Sequence, residues 1–408
     1  MPILTIFKST VLLLCLVFSS CRGQDSKPTE PSTEPQMEPA AEIVVAANRT
    51  EAYLPLLQGK KVGVVANPTT VIFHKGGHTH LVDSLLSLGI EVQMVFAPEH
   101  GFRGTADAGE HVKDGVDSKT GLPIISLYGE NRKPSPGQLE ALDVVVFDIQ
   151  DVGVRFYTYI ASMQLVMEAC AQNNTPLILL DRPNPNGHYV DGPTLLKEHN
   201  SYLGLNPVPL VYGMTLGEYA QMVNGEGWLE DGIKADLTVI PLEHYTHQSE
   251  YHLPIRPSPN LPNDVSITLY PSLGLFEGTN VNAGRGTEFQ FQRYGASFLD
   301  STQYDFSYVP RPNFGSKTPK EEGKTCYGRD LSQSPRMDRV SLQWVMDAYD
   351  NSVDKSKFFL TSGFTKHAGT PLLQQQIEAG MSEAEIKAGW QEDLDAFKKI
   401  REGYLIYD

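Results

Sequence analysis

Short apolar runs alternate with helical patterns through the first half of this chain. Four runs are apolar almost throughout, without the polar alternation of a strand that has one face in water: 62–66, 92–97, 144–147 and 177–180. Between them, apolar residues recur at helical spacing, as over 160–171. Buried strands separated by helices predict a parallel sheet covered on both faces. We therefore expect an α/β fold.

A polar residue follows each of these runs. Asn67, Glu99, Asp148 and Asp181 come directly after or at the end of the four strands, and Asp151 follows shortly after Asp148. Right-handed crossovers place the carboxyl ends of parallel strands along one edge, where open α/β sheets bind ligands. We therefore expect these five side chains to converge on one site.

The segment after the second strand contains three potential catalytic or binding side chains close together. Glu99, His100 and Arg103 lie within five positions and are framed by Gly101 and Gly104, which let the backbone bend. A carboxylate, an imidazole and a guanidinium at a strand end are typical of a functional site. The alternative is that Glu99 only pairs with Arg103 to close a surface loop.

Several classes of function are disfavoured by what the sequence lacks. The first strand is followed by Asn67-Pro68-Thr69-Thr70 rather than by G-x-G-x-x-G, which argues against a dinucleotide. The G-x-S-x-G motif of serine esterases is also missing. The formal net charge of −16 argues against a nucleic-acid partner.

The N-terminal residues predict export. Lys8, the apolar stretch 11–18 and Ser19-Ser20-Cys21 indicate a signal peptide over 1–21, because the apolar run is too short to span a membrane. Cys21 resembles a lipobox cysteine, whose diacylation would make an anchored lipoprotein of the bacterial envelope facing the periplasm. The alternative is a soluble exported protein. Residues 22–43, rich in Pro, Glu, Ser and Thr, predict a disordered tether.

A change of domain is expected near residue 250. The segment 254–262 contains four prolines, which disfavour both helix and strand. We therefore predict a larger parallel-sheet domain over 44–245 and a smaller α/β domain over 246–408. Near the C terminus, Ser382 and Glu385 form a capping box, and apolar residues on one face predict a single last helix: Ile386, Trp390, Leu394 and Phe397.

Nine motifs, taken in order, resemble the exo-β-N-acetylmuramidase family, long catalogued only as a bacterial domain of unknown function: 67–69, 98–104, 126–129, 148–159, 181–185, 258–260, 277–280, 284–287 and 404–407. The resemblance runs from about residue 52 to the C terminus. It implies a Rossmann-like domain, a second, smaller α/β domain, and an active site in the cleft between them. It also implies release of N-acetylmuramic acid from the non-reducing end of peptidoglycan fragments, without a cofactor.

Glycoside hydrolysis requires an acid and a second group on the far face of the sugar. Glu99 is the candidate acid, and His100 could share the proton. The second carboxylate remains open among four residues, of which Glu277 and Asp151 lead: Asp148, Asp151, Asp181 and Glu277. Retention, inversion and participation of the substrate's acetamido group also stay open.

Muramic acid carries a lactyl carboxylate, and a planar guanidinium can bind a carboxylate in a fork. Four arginines are candidates, and the glycine-flanked Arg103 and Arg285 lead: Arg103, Arg155, Arg182 and Arg285. Further predicted substrate ligands are Asn67, Asp148, Tyr157 and Asn280.

Two other functions compete with this prediction. His74, His78 and His80 could form a zinc set of the kind that deacetylases or amidases use, although their spacing is not a tight motif. A non-catalytic lipoprotein that only binds peptidoglycan is the second alternative. The many carboxylates expected in the cleft favour catalysis, since a pure binder of an anionic sugar would avoid them.

Overall fold

The structure is a computed structural model that describes residues 41–103 and 114–408. The predicted signal peptide, the lipidation site Cys21 and the predicted tether up to residue 40 lie outside these described residues, as does Gly104. In the described part of the chain, no helix has the length and apolar character needed to cross a membrane. The predicted domain boundaries stay predictions.

The described residues form twelve strands: β1 (Lys61–Ala66), β2 (Val71–His74), β3 (Gly77–His80), β4 (Glu91–Ala97), β5 (Gly115–Val116), β6 (Pro123–Ser126), β7 (Val144–Asp148), β8 (Leu177–Leu180), β9 (Leu237–Ile240), β10 (Arg293–Ala296), β11 (Phe306–Tyr308) and β12 (Cys326–Asp330). The four apolar runs of the sequence correspond to β1, β4, β7 and β8. The prediction of strands at these positions is therefore confirmed.

The same residues form eleven α-helices: α1 (Thr50–Leu57), α2 (Leu81–Ser87), α3 (Pro136–Leu139), α4 (Tyr159–Gln172), α5 (Leu216–Gly225), α6 (Asp264–Leu273), α7 (Gln343–Asp350), α8 (Thr361–Ala368), α9 (Leu372–Glu378), α10 (Glu383–Ala388) and α11 (Gln391–Glu402). Short 3₁₀ turns lie at 46–48, 197–199, 230–232, 274–278, 301–303 and 355–357.

A seven-stranded sheet forms the centre of the larger region. Its order is β5-β6-β4-β1-β7-β8-β9, and all neighbours are parallel except the edge pair β5 and β6. In the central strands, Val65 of β1 pairs with Phe96 of β4 and with Phe147 of β7. Parallel pairing through the centre places the carboxyl ends of these strands at one edge, as predicted.

Both faces of this sheet are buried. Along β7, Val145 and Phe147 belong to the apolar cluster that includes Met163 of α4, whereas Val144 and Val146 belong to the cluster on the opposite face. Side chains alternate between the faces of a strand, so helices on both sides require strands that are apolar throughout. The sequence pattern that predicted an α/β fold has this physical origin.

The C-terminal part contains a separate, smaller sheet. It is antiparallel, in the order β10-β12-β11, and α6 to α11 lie in the same part of the chain. The proline-rich segment 254–262 contains neither helix nor strand, as expected. The prediction of one last helix is wrong, because α10 ends at Ala388 and α11 begins at Gln391. The capping box of Ser382 and Glu385 nevertheless starts α10.

Candidate active site

A cavity of about 530 Å³ lies between side chains from both parts of the chain. Its size falls within the range of about 300–1,000 Å³ that is usual for ligand sites. Five residues predicted from sequence line it: Glu99, His100, Tyr157, Glu277 and Arg285. The site therefore combines the loop after β4, the loop before α4, the 3₁₀ turn 274–278 and the glycine-rich loop that follows it.

Glu99 is held by two hydroxyl groups. Tyr128 donates to Oε1 at 3.0 Å, and Thr158 donates to Oε2 at 2.9 Å. The residue is partly exposed and lines the cavity. Since each oxygen accepts from a side chain fixed on another segment, the carboxyl group has a defined orientation.

The backbone around Glu99 is also fixed. His100 and Gly101 have φ values of 72° and 74°, which turn the chain sharply after β4. Tyr159 donates to the carbonyl of Glu99 at 3.3 Å, and Asn67 donates to the Tyr159 hydroxyl at 2.9 Å. Asn67 is fully buried and does not line the cavity. Through Tyr159 it supports the loop that carries Glu99, and its predicted role as a substrate ligand stays a prediction.

Glu277 lines the cavity from the C-terminal part of the chain. Its Oε2 accepts from Nη1 of Arg285 at 2.9 Å. Burial acts to raise the pKa of Glu277, but the charges of Arg285 and Lys320 outweigh burial, so the pKa lies below its ordinary value. Glu277 is therefore ionised at neutral pH.

His367 of α8 also lines the cavity. Its Nδ1 hydrogen-bonds to the carbonyl of Gly363 at 2.8 Å. A carbonyl can only accept, so the neutral ring carries its proton on Nδ1 and a lone pair on Nε2. Burial lowers the pKa of His367 although the Gly363 carbonyl and Glu277 act in the opposite direction. The imidazole is therefore neutral at pH 7.

Asp148 and Arg182 do not line this cavity, so the structure does not bring them together with Glu99 as predicted. They form a buried ion pair in which Arg182 Nη2 donates to Asp148 Oδ2 at 2.8 Å and to the carbonyl of Val71 at 2.8 Å. Two opposite charges at adjacent strand ends neutralise each other and stabilise the fold instead of facing the substrate.

Arg103 and Arg155 are likewise engaged elsewhere. Arg103 forms ion pairs with Asp117 at 2.8 Å and with Asp83 at 3.0 Å and lines a different pocket, so carboxylates of this chain already compensate its charge. Arg155 is fully buried and donates to three backbone carbonyls: those of Pro193, Val208 and His367. Burial is the cause that lowers the pKa of Arg155 to about 9. It links distant loops and does not reach the cavity.

Asp151 and Asp181 are buried and do not line the cavity, unlike Glu277, the other leading candidate for the second carboxylate. Asp151 accepts from the hydroxyl of Tyr212 and from the amide of Gly153. Asp181 accepts from the hydroxyls of Thr215 and Tyr407, each at 2.7 Å. Burial raises the pKa of each of these two aspartates to about 6, partly offset by the hydrogen bonds they accept.

Asn280 and the predicted histidine set also lie away from the cavity. Asn280 donates to the carbonyl of Lys357 at 2.6 Å, and its predicted role in substrate binding stays a prediction. His74 and His78 lie on the hairpin of β2 and β3, and His80 contacts the Asn67 carbonyl before α2. Among residues 41–103 and 114–408, no three His, Cys, Asp or Glu side chains are grouped to hold a metal ion. The zinc alternative is therefore not favoured.

The cavity lining also includes residues that were not predicted from sequence, and seven polar ones among them are Tyr128, Arg132, Thr158, Tyr202, Asn260, Lys366 and His367. Tyr128, Thr158 and Asn260 belong to motifs on which the resemblance rests, so motif membership was a usable signal. Arg132, Tyr202 and the two residues of α8 lie outside every motif. Only the three-dimensional packing brings them to the cavity.

The family models for the exo-β-N-acetylmuramidase NamZ match both parts of this chain. The N-terminal model matches residues 62–265, and the C-terminal model matches residues 268–407. The peptidoglycan β-N-acetylmuramidase NamZ of Bacillus subtilis (strain 168) is 39% identical over 377 residues, which are 87% of this chain and 89% of that protein.

Two crystal structures of DUF1343 family proteins from Bacteroides fragilis NCTC 9343 are similar in fold. The first has a TM-score of 0.83 and 44% identity, and the second has a TM-score of 0.74 and 26% identity. Each comparison covers 90% of this chain and 99% of the other. With both family models matched in order and a curated relative aligned along most of its length, the chain belongs to the NamZ family of exo-β-N-acetylmuramidases.

Proposed function

We propose that this protein is an exo-acting glycoside hydrolase that releases N-acetylmuramic acid from the non-reducing end of peptidoglycan fragments. The main structural support is that Glu99 and Glu277, which are distant in sequence, line one cavity. The 39% identity to the Bacillus subtilis enzyme over most of both chains supports the substrate. The partner is therefore a glycan that ends in N-acetylmuramic acid.

The two glutamates have different roles in this proposal. Glu277 is kept ionised by Arg285 and Lys320, so it is unsuited to donate a proton and instead stabilises the positive charge that develops on the sugar. The acid role therefore falls to Glu99. Its carboxyl group is oriented by Tyr128 and Thr158 and protonates the oxygen of the leaving group.

A chromogenic β-glycoside of N-acetylmuramic acid tests this function. The wild-type protein should hydrolyse it, and Glu99→Gln should lower kcat about 10²- to 10⁴-fold, the range for loss of a general acid. Glu140→Gln changes an exposed glutamate outside the cavity and should retain wild-type turnover. Ordinary turnover by Glu99→Gln would refute the acid assignment, whereas no hydrolysis by the wild-type protein would refute the proposed function.

We also propose that the mature protein is anchored in the bacterial envelope through lipid on Cys21 and faces the periplasm. The support is the sequence: a basic residue, a short apolar stretch and two serines precede the cysteine. Detergent-phase partitioning of the expressed full chain tests this proposal. The wild-type protein should enter the detergent phase, and Cys21→Ala should remain in the aqueous phase. Aqueous partitioning of both would favour a soluble exported protein.

A further inference from the structure

Two basic side chains that line the cavity have no carboxylate partner in the described residues: Arg132 and Lys366. The third, Arg285, is neutralised by Glu277 at 2.9 Å. A substrate carboxylate binds best to a cation whose charge is not already compensated. The choice of partner for an anionic sugar is therefore between Arg132 on the Glu99 side and Lys366 on α8.

Arg132 is held in place before any substrate arrives. Its Nε donates to the carbonyl of Gly129 at 3.0 Å, and its Cζ lies 4.5 Å from the ring centroid of Tyr202. The Tyr202 hydroxyl is in turn hydrogen-bonded to Ser162 of α4 at 2.6 Å. One edge of the guanidinium is thus occupied, and in residues 41–103 and 114–408 its two terminal nitrogens make no hydrogen bond to a side chain or backbone group. This is a fork oriented for a carboxylate.

Arg132 also lies close to the catalytic acid. The rings of Tyr202 and Tyr128 have centroids 6.4 Å apart, and Tyr128 donates directly to Glu99. The charge of Arg132 acts on Tyr128, whose pKa is raised mainly by burial and by Glu99 and is lowered in part by Arg132. An anion bound by Arg132 therefore lies on the side of the cavity that carries Glu99.

Lys366 fits this role less well. Both residues are exposed, but Lys366 makes no hydrogen bond or ion pair with the described residues, and its ammonium group is a point charge on a flexible stem. Fixing such a side chain costs conformational entropy that the stacked Arg132 has already lost. Arg132 is therefore the residue to test for carboxylate binding, and Lys366 provides the control.

We propose that Arg132 binds the lactyl carboxylate of N-acetylmuramic acid and so determines the preference for this sugar over neutral hexosamines. The proposal rests on the proposed glycosidase function. It also defines the substrate more closely: a stem peptide converts the lactyl carboxylate into a neutral amide, which gives the guanidinium no charge to pair with.

Two chromogenic substrates test the proposal: the β-glycoside of N-acetylmuramic acid and the same glycoside with its lactyl group as the carboxamide. The ratio of their kcat/KM values reports on charge recognition alone. Arg132→Met should lower this ratio about 10- to 100-fold, as expected for lost charge-assisted hydrogen bonds. Arg132→Lys should lower it less, because the charge remains without the fork. Lys366→Met should leave the ratio within about twofold of wild type.

The outcomes separate this proposal from the function on which it rests. If the wild-type protein hydrolyses neither glycoside, the glycosidase function fails. If the wild-type protein is active but Arg132→Met and Arg132→Lys slow both substrates equally, Arg132 has only a structural role and the proposal is overturned. The proposal would also be overturned if Lys366→Met lowered the ratio of the two kcat/KM values as strongly as expected for Arg132→Met. High salt should lower the wild-type ratio, since screening weakens charge pairing.

Discussion

The buried pair of Asp148 and Arg182 gives the sharpest test of which arginines serve the fold and which serve the substrate. Arg182→Met removes the guanidinium that donates to Asp148 and to the Val71 carbonyl. Both members of the pair are almost inaccessible to solvent, at 4% and 0% exposure. The variant therefore leaves a carboxylate buried without its partner.

The expected magnitude follows from this burial. Removing one member of a buried ion pair destabilises a protein by about 3–5 kcal/mol, because the remaining charge is uncompensated. Adding Asp148→Asn to Arg182→Met removes that charge and should recover part of the loss. An exposed pair provides the control: Lys398 and Asp395 are 3.6 Å apart and about half exposed, so Lys398→Met should cost less than about 1 kcal/mol.

The loss of stability should depend on pH. Burial is the main cause that raises the pKa of Asp148, and Arg182 opposes it, so removing Arg182 raises this pKa further. The pKa of Asp148 is about 4 in the unfolded state and higher in the folded variant. At pH values between these two pKa values, Asp148 is protonated in the folded state but not in the unfolded state. Stability in this window falls as pH rises. Arg182→Met should therefore be less destabilised, relative to wild type, at pH 5 than at pH 8.

Urea unfolding at both pH values, together with kcat and KM on the muramic acid glycoside, checks this prediction. We expect a lower unfolding midpoint and a KM close to that of wild type under conditions where the variant is folded. An unchanged midpoint with a strongly raised KM would refute the assignment, because it would mean that Arg182 binds the sugar. Equal destabilisation at pH 5 and pH 8 would refute the linkage to Asp148.

Three further predictions concern the cavity. Arg285→Met removes the nearest cation from Glu277 and therefore raises the pKa of Glu277. The acidic limb of the pH profile of kcat/KM should then move to higher pH. If this limb does not move, Glu277 is not the group that must be ionised. Tyr128→Phe removes one of the hydroxyls that orient Glu99, so kcat should fall about 10-fold with little change in melting temperature. An unchanged kcat would contradict this orienting role. A chelator should leave the activity unchanged, since the described residues offer no three-ligand metal site; loss of activity that zinc restores would revive the metal alternative.

The α/β fold could be predicted from sequence because strands that are buried on both faces consist of consecutive apolar residues. Val144 to Phe147 are apolar without interruption since each side chain meets one of two cores. The strands of the smaller sheet have no such apolar runs, because β11 has only three residues and β10 begins with the polar Arg293. Likewise, the break between α10 and α11 is not evident from periodicity, because the apolar spacing continues across it and all four predicted residues are buried.

The predicted convergence of strand-end carboxylates was only partly right. The strands do end at one edge, but sequence cannot show which ends are covered. Asp148 and Asp181 follow the neighbouring strands β7 and β8, and the chain returns over them, so that Thr215 and Tyr407 reach Asp181. Glu99 follows β4, on the other side of the central strand β1, and there the carboxyl group stays partly accessible.

The arginines show most clearly why a motif does not determine a role. Arg103 and Arg182 lie in motifs of the family, yet they pair with aspartates of this chain, because a guanidinium near a strand end finds internal carboxylates as readily as it would find a ligand. Arg132 lies in no motif, and its charge is uncompensated in the described residues because its neighbours are a carbonyl and an aromatic ring. A cation is available to an anionic substrate only when the fold leaves it without an anionic partner, and this property depends on tertiary contacts rather than on local sequence.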